Sequence, residues 1–282
     1  MSKRSGGTGR GCLPWVLGCV LLGVWFSGNE DGWGDGWNDA TLSVERFDPR
    51  SPRRPMPDIG ETFVIADPGP QQDSQGTAFA VDRDGTWLTA QHVTNNCDRL
   101  GLVSDGGIEQ LVDVLESAEA DVSVIRQGPQ ARFALALTQD IPEVGSLGYH
   151  MGFPAGVPSV VLSRYIGQTY AQRGGPGGAT EPMLAWAEGE RLPSSDGPLG
   201  GISGGPTFDQ QGRVVGVNAA STPRRGRVLT TDPGAILRLV DASAAVNEAG
   251  EIAQLANPAS AVALFRVLLG DGIIRQVYCD VR

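Results

Sequence analysis

Short apolar runs separated by turn residues follow one another from about residue 59, and they constrain the fold more than any other feature. The runs include GTAFAV, LGLVS, DVSVIR and SVVLS, and Gly, Pro, Asn or Asp interrupts them repeatedly. Such spacing is typical of a β-sandwich or β-barrel. The 40 glycines and 19 prolines among 282 residues favour the same class over a helical bundle. The sequence therefore predicts an all-β domain.

Turn and helix signals refine this prediction. DRDG at 82–85 and DQQG at 209–212 are typical of hairpin turns. Two helices are predicted late in the chain, over 232–243 and 257–270, because each segment opens with an Asp-Pro or Asn-Pro pair and then becomes periodically apolar.

The N-terminal region has the pattern of an export signal. A basic start is followed by an uncharged apolar run, CLPWVLGCVLLGVWF, which is short for a membrane span and long for a signal-peptide core. Because no cleavage site of small residues follows, we predict that residues 1–27 form a membrane anchor with its basic end in the cytoplasm. Residues 28–58, rich in Gly, Asp, Pro and Arg, are predicted to be a flexible linker. The domain at 59–282 would then face the periplasm or the extracellular side, or be secreted if the signal is cleaved.

Charge and cysteine usage exclude some classes of function. The formal net charge of -10 argues against a nucleic-acid partner. Two cysteines lie in the apolar N-terminal run, which leaves Cys97 and Cys279 for the exported part. A disulfide between these two and a pair of buried free thiols both fit the sequence. No C-x-x-C motif or His/Cys cluster indicates a metal site, and we expect no cofactor.

A glycine-rich stretch around Ser203, GISGGP, raises the question of a nucleophilic serine. The stretch fits the G-x-S-x-G elbow of α/β-hydrolases, but that fold needs a histidine after the serine. The two histidines, His92 and His150, both precede Ser203. The elbow also needs a strand before the serine and a helix after it, whereas Pro206 closes this motif. The sequence therefore excludes an α/β-hydrolase.

The opposite chain order, histidine, aspartate and then serine, is present. His92 ends the apolar run WLTAQHV, Asp121 opens the alternating run DVSVIR, and Ser203 runs into the hairpin PTFDQQGRVVGV. Chymotrypsin-like enzymes use this order for their catalytic triad.

The same segments resemble a known family. GTAFAVDRDGTWLTAQHV, ADVSVIR and GISGGPTFDQQGRVVGVNAA resemble the His, Asp and Ser blocks of trypsin-like serine proteases, most closely the HtrA/Deg-type catalytic domain. The resemblance covers about 60–240, and the roughly 40 residues that follow are too few for a PDZ domain. It implies two six-stranded antiparallel β-barrels with a C-terminal helix and an extension from about residue 241.

The resemblance also implies roles for individual residues. His92 would be the general base, Asp121 would orient it, and Ser203 would be the nucleophile. The backbone N–H groups of Gly201 and Ser203 would form the oxyanion hole. The substrate-pairing strand would be formed by Ala219, Ala220 and Ser221.

These features predict a serine endopeptidase that cleaves polypeptides outside the cytoplasm. A catalytically silent scaffold on the same fold and an esterase remain alternatives. Ile202 before the serine argues against activation by cleavage of a zymogen, and a loop distorted around Ile202 would favour the silent scaffold. Asp196 near the pocket floor leaves a preference for basic residues open, although the small residues at 219–221 favour small or medium apolar side chains. We expect His150 to be structural.

Overall fold

The computed structural model describes one part of the chain in detail. The chain divides into two units, Met1–Gly32 and Trp33–Arg282, and all described residues belong to the second unit. The predicted anchor therefore lies outside the described residues. No helix within the described ranges is long and apolar enough to cross a membrane. The ranges are 41–47, 62–65, 72–104, 107–173, 180–222, 226–247, 249–250 and 252–282.

Strands dominate the described part, as predicted. The helices are α1 Gln91–Thr94, α2 Pro233–Ala242 and α3 Pro258–Gly270, with a short 3-10 helix at Pro154–Gly156. The strands are β1 Ser43–Phe47, β2 Thr62–Ile65, β3 Ser74–Ala80, β4 Trp87–Thr89, β5 Arg99–Ser104, β6 Gly107–Leu111, β7 Asp113–Ser117, β8 Ser123–Arg126, β9 Leu147–Gly152, β10 Ser159–Arg173, β11 Thr180–Leu192, β12 Pro206–Phe208, β13 Val214–Thr222, β14 Arg227–Thr231 and β15 Ile274–Asp280.

The first sheet has eight strands in the order β1-β7-β8-β4-β3-β15-β5-β6. In its inner strands, apolar residues occupy alternating or consecutive positions. Four of their large side chains are fully buried: Phe79, Trp87, Leu100 and Ile125. β15, from the end of the chain, pairs antiparallel with both β3 and β5 in the middle of the sheet. The C-terminal extension is thus an internal part of this sheet.

The second sheet closes into a barrel. Its order is β11-β14-β13-β12-β9-β10, and β10 pairs with β11 to complete a ring of six strands. Register shifts in the β10–β11 pairing, after Val161 and after Tyr165, bend these long strands around the barrel. β2 adds in parallel to β10 at the outside of this ring.

The architecture is the predicted all-β, chymotrypsin-like double barrel, with one difference. The second barrel has the expected six strands, but the first sheet is curled without a closing pair among the described strands. β1 pairs in parallel with β7 at one edge of this sheet. β1 lies inside the predicted linker 28–58, so this part of the linker is an edge strand. Its sequence, SVERF, lacks a buried face, which explains why no strand was predicted there.

The predicted turns and helix starts are confirmed. Residues 82–85 connect β3 to β4 and residues 209–212 connect β12 to β13. The Asp232 side chain accepts a hydrogen bond from the Ala235 N–H at the start of α2. Asn257 forms a reciprocal capping box with Ser260 at the start of α3.

A disulfide joins the region after α1 to the C-terminal strand. The Sγ atoms of Cys97 and Cys279 are 2.02 Å apart and the Cα atoms 5.4 Å apart. Cys279 lies on β15 opposite Ser74 of β3 and Leu100 of β5. The bond therefore links the end of the chain to the segment that follows His92.

Candidate active site

His92 and Asp121 form a doubly hydrogen-bonded pair. His92 lies in the single helical turn α1, directly after the buried strand β4, and its Nδ1 is 2.7 Å from Asp121 Oδ2. The His92 backbone N–H also donates to Asp121 Oδ1 at 2.9 Å. The Asp121 side chain is 3% exposed and the His92 side chain 40% exposed. The carboxylate is therefore held inside the protein while the imidazole reaches solvent.

The second barrel holds the main chain of Asp121. Its N–H donates to Glu181 Oε2 at 2.6 Å, and its carbonyl accepts from Thr231 Oγ1 at 2.9 Å. Glu181 lies on β11 and Thr231 on β14, whereas His92 belongs to the first sheet. These contacts fix the aspartate at the junction of the two sheets. Sequence reasoning missed Glu181 and Thr231, because nothing local distinguishes them from other strand residues.

A buried cluster of polar side chains holds α1 against the first sheet. Thr94 Oγ1 donates to Glu116 Oε1 at 2.8 Å and lies 2.9 Å from Ser123 Oγ. Gln91 Nε2 is 3.3 Å from the other Glu116 oxygen. These bonds satisfy a carboxylate that is 3% exposed, and they tie the helical turn of His92 to β7 and β8.

The turn that carries Ser203 packs against the segment that carries His92. The Ser203 carbonyl accepts from the Thr77 N–H at 2.7 Å. A Cβ on Gly204 would lie 2.2 Å from Thr89 Oγ1 and 2.8 Å from the Ala90 nitrogen. Because no side chain fits there, the glycine lets the serine turn lie directly beside the residues that precede His92.

Hydrogen bonds to its carbonyl groups hold the same turn in one conformation. The Gly200 carbonyl accepts from Ala155 N–H at 2.7 Å, and the Ile202 carbonyl accepts from Gly205 N–H at 3.0 Å. In a trans peptide the N–H points away from the carbonyl, so the N–H groups of Gly201 and Ser203 point away from these partners. Neither N–H donates a hydrogen bond within the described ranges.

Ile202 anchors this turn in the core of the second barrel. Its side chain is 4% exposed and belongs to a cluster with Leu199, Trp186 and Val228. Two hydrogen bonds close the turn around it, from the Ile202 N–H to the Leu199 carbonyl and from the Gly205 N–H to the Ile202 carbonyl.

The other predicted residues divide into strand and loop positions. Ala219, Ala220 and Ser221 lie on β13, where Ala220 and Ser221 pair with β14. Asp196 is exposed in the loop before the serine turn. His150 is fully buried, and burial lowers the pKa of its imidazole to about 4 even though Asn218 hydrogen-bonds to it.

Metal-ligating side chains do not cluster in the described ranges. No group of three or more His, Cys, Asp or Glu residues there could hold a metal ion. The candidate site consists of protein groups suited to acyl transfer: a buried carboxylate, an imidazole, a serine and the main-chain N–H groups of the serine turn.

The chain is similar to known proteins in sequence and structure. A family model described as the trypsin-like peptidase domain matches residues 76–217. The serine protease HTRA1 of Xenopus laevis is 30% identical over 150 residues, 51% of this chain and 31% of that protein. A DegP-like periplasmic serine endoprotease of Brucella suis is 28% identical over 151 residues, 52% of this chain and 28% of that protein. Among solved structures, the inactive form of the Rv3671c protease of M. tuberculosis has a TM-score of 0.47 at 17% identity, covering 61% of this chain and 88% of that one.

The double barrel and the family match together define the class of this protein as a chymotrypsin-like serine protease fold. The chain belongs to the trypsin-like peptidase domain family, whose model covers half of its length. The matched stretch spans less than a third of these two curated relatives, at 31% and 28% of their lengths.

Proposed function

We propose that this chain is a serine endopeptidase in which Ser203 is the nucleophile, His92 the general base and Asp121 the residue that orients His92. The observation that carries the proposal is the 2.7 Å contact between His92 Nδ1 and the buried Asp121 carboxylate. A proton on Nδ1 leaves the lone pair on Nε2, the tautomer that a general base requires.

The proposed chemistry is acyl transfer in two steps. Ser203 Oγ attacks the carbonyl carbon of the peptide while His92 Nε2 takes the hydroxyl proton. The N–H groups of Gly201 and Ser203 stabilise the negative oxygen of the tetrahedral intermediate. His92 then donates the proton to the leaving amine, and water, activated by the same imidazole, hydrolyses the acyl-enzyme. Residues 219–221 would hold the substrate backbone as an added β-strand.

We further propose that the protein works outside the cytoplasm, held to the membrane by residues 1–27. The Cys97–Cys279 disulfide supports this location, because such bonds persist in oxidising compartments. The Brucella suis relative is described as periplasmic. In a bacterial host, the full chain should sediment with membranes and be digested by protease added to spheroplasts. Recovery in the soluble cytoplasmic fraction would contradict the proposal.

The nucleophile is tested by labelling the purified full-length chain with a fluorophosphonate probe and mapping the adduct by mass spectrometry. We expect one adduct, on Ser203, and none in Ser203→Ala. The matched control is Ser195→Ala, which removes an exposed serine in the loop before the turn and should label as the wild type does.

Peptide-library profiling of the unlabelled enzyme then separates an endopeptidase from an esterase, since only the former cleaves peptides. Absence of labelling in a chain that is folded by circular dichroism would reject the proposed function and favour the silent scaffold.

A further inference from the structure

Four buried polar side chains cross the inside of the second barrel directly behind the serine turn. We call this set the His150 network; its members lie on four neighbouring strands, Ser163 on β10, His150 on β9, Thr207 on β12 and Asn218 on β13. None is more than 2% exposed.

The partners of His150 determine which ring nitrogen donates a hydrogen bond and which accepts one. His150 Nδ1 is 2.7 Å from Asn218 Oδ1 and 2.8 Å from Thr207 Oγ1, and His150 Nε2 is 2.6 Å from Ser163 Oγ. Asn218 Oδ1 has no proton to donate, so Nδ1 carries the proton. Nε2 then accepts from the Ser163 hydroxyl. The imidazole is neutral in this arrangement, in agreement with its lowered pKa.

The contacts of Ser163, His150 and Asn218 have the atom pattern of a second serine–histidine–amide triad. A catalytic role is excluded by burial, because His150 is 0% exposed and Ser163 is 2% exposed. The ring of Trp186 packs edge-on against the imidazole, with centroids 5.4 Å apart. No substrate reaches these atoms, so the bonds of the network act on the protein itself.

Asn218 connects the network to the serine turn. Its backbone N–H donates to the Gly205 carbonyl at 2.9 Å, and its carbonyl accepts from the Gly204 N–H at 2.7 Å. The main chain of Asn218 therefore holds Gly204 and Gly205, while its side chain binds His150.

Backbone irregularities increase the need for these side-chain bonds. A register shift separates Asn218 from Ala220 in the β13–β14 pairing, and another separates Thr207 from Phe208 in the β12–β13 pairing. A bulge interrupts the ladder of main-chain bonds and re-aims the residues beside it. One bulge is beside Thr207, which follows the serine turn. The other is beside Asn218, which directly precedes the proposed substrate strand at 219–221.

We propose that His150 is a positioning residue for this site, which through Asn218 fixes the Gly204–Gly205 end of the Ser203 turn. The inference rests on the proposed function. It assigns a positioning role to a fully buried histidine that acts on the serine turn through Asn218.

The test measures fluorophosphonate labelling of the full-length chain as two separate constants, KI for probe binding and kinact for the covalent step. His150→Phe replaces the imidazole with a slightly larger apolar ring and removes the hydrogen bonds to Asn218, Thr207 and Ser163. Displacing the nucleophile by a fraction of an ångström to about 1 Å should lower kinact about 10- to 100-fold, with KI little changed. Rates are counted per folded molecule, by near-ultraviolet circular dichroism.

Two further variants separate positioning from stability. His150→Asn places an amide nitrogen near the position of Nδ1, where it can donate to Asn218, and it should restore most of kinact. Tyr149→Phe removes a buried hydrogen bond to the Leu255 carbonyl from the adjacent residue of β9. It should lower stability without changing kinact, because Tyr149 is not part of the His150 network.

The outcomes distinguish the inference from the proposed function. A wild-type chain that is not labelled rejects the proposed function and the inference with it. Labelling of His150→Phe at the wild-type kinact rejects the inference alone, as does an equal loss of kinact in Tyr149→Phe. If His150→Phe does not fold, Asn218→Leu replaces it, and a wild-type kinact in that variant likewise rejects the inference.

Discussion

The conformation of single residues decides how the serine turn is built. Gly201 has φ +99°, a region that residues with a side chain rarely adopt, and a Cβ there would lie 2.4 Å from the Phe153 carbonyl oxygen. Its neighbour Gly200 has open space around the position of a Cβ. Two adjacent glycines therefore differ in their tolerance of a methyl group, a difference that is invisible in the sequence.

Gly201→Ala should lower the free energy of unfolding by about 1–3 kcal/mol, through backbone strain and displacement of Phe153. It should also reduce fluorophosphonate labelling, since the Gly201 N–H moves with the turn. Gly200→Ala should change the free energy of unfolding by less than about 0.5 kcal/mol. Urea unfolding of both variants checks this; equal stability losses would contradict it.

Asp121→Asn tests the proposed role of the carboxylate. The amide can still accept from the His92 backbone N–H, but its NH₂ group faces Nδ1 and selects the opposite tautomer of the imidazole. Because the opposite tautomer leaves Nε2 protonated and unable to act as a base, we expect kcat to fall about 10⁴-fold with the fold retained. Peptide hydrolysis kinetics provide the measurement. Asp241→Asn makes the same change at an exposed position of α2 and should keep the wild-type rate.

At the scale of elements, β15 and the Cys97–Cys279 disulfide join the C-terminal segment to the first sheet and to the segment that follows His92. β15 lies between β3 and β5, and Ile274 and Val277 on it are buried at 1% and 0% exposure. The disulfide spans a sequence separation of 182 residues, so it restricts the unfolded chain over most of the domain.

Replacing both cysteines by serine should lower the free energy of unfolding by about 2–5 kcal/mol, as expected for removal of a native disulfide. Denaturant unfolding with and without reductant measures the effect. The reductant should destabilise the wild type and leave the double variant unchanged. An unfolding midpoint of the wild type that does not respond to the reductant would count against this prediction.

For the whole molecule, the buried His150 makes stability depend on pH. Its folded pKa of about 4 lies below the ordinary value of 6.5, so the unfolded chain binds more protons between these two values. The contribution of His150 to the free energy of unfolding is therefore largest above pH 6.5 and falls as the pH drops towards 4. The side chains that contact His150 among the described residues, Ser163, Thr207, Asn218 and Trp186, are uncharged.

Over this interval the contribution of His150 amounts to about 3 kcal/mol. The difference in the free energy of unfolding between wild type and His150→Gln should therefore shift by about this amount between pH 7 and pH 4.5. Subtracting the variant removes the titration of the carboxyl groups that both chains share. A difference independent of pH would show that His150 does not titrate below its ordinary pKa.

Much of the fold could be predicted because its signals are local. The turns at 82–85 and 209–212 and the caps Asp232 and Asn257 depend on residues within a few positions of one another, and all are confirmed. The order of His92, Asp121 and Ser203, together with the sequence around each of them, predicted the candidate triad, and its catalytic role stays a prediction. β1 could not be predicted, because its exposed sequence SVERF carries no alternation.

The sequence by itself determined the all-β class, the turn and cap positions, and the residues to examine, because each depends on short-range geometry and residue type. Only the tertiary structure decided where β15 inserts, which residues hold Asp121, and what His150 contacts. Strand pairing joins segments that are distant in the chain, and each pairing is stabilised by burial that no single segment encodes. Glu181 and Thr231 reach Asp121 only after the two sheets have packed together, and Asn218 reaches His150 only after the strands of the second barrel have paired.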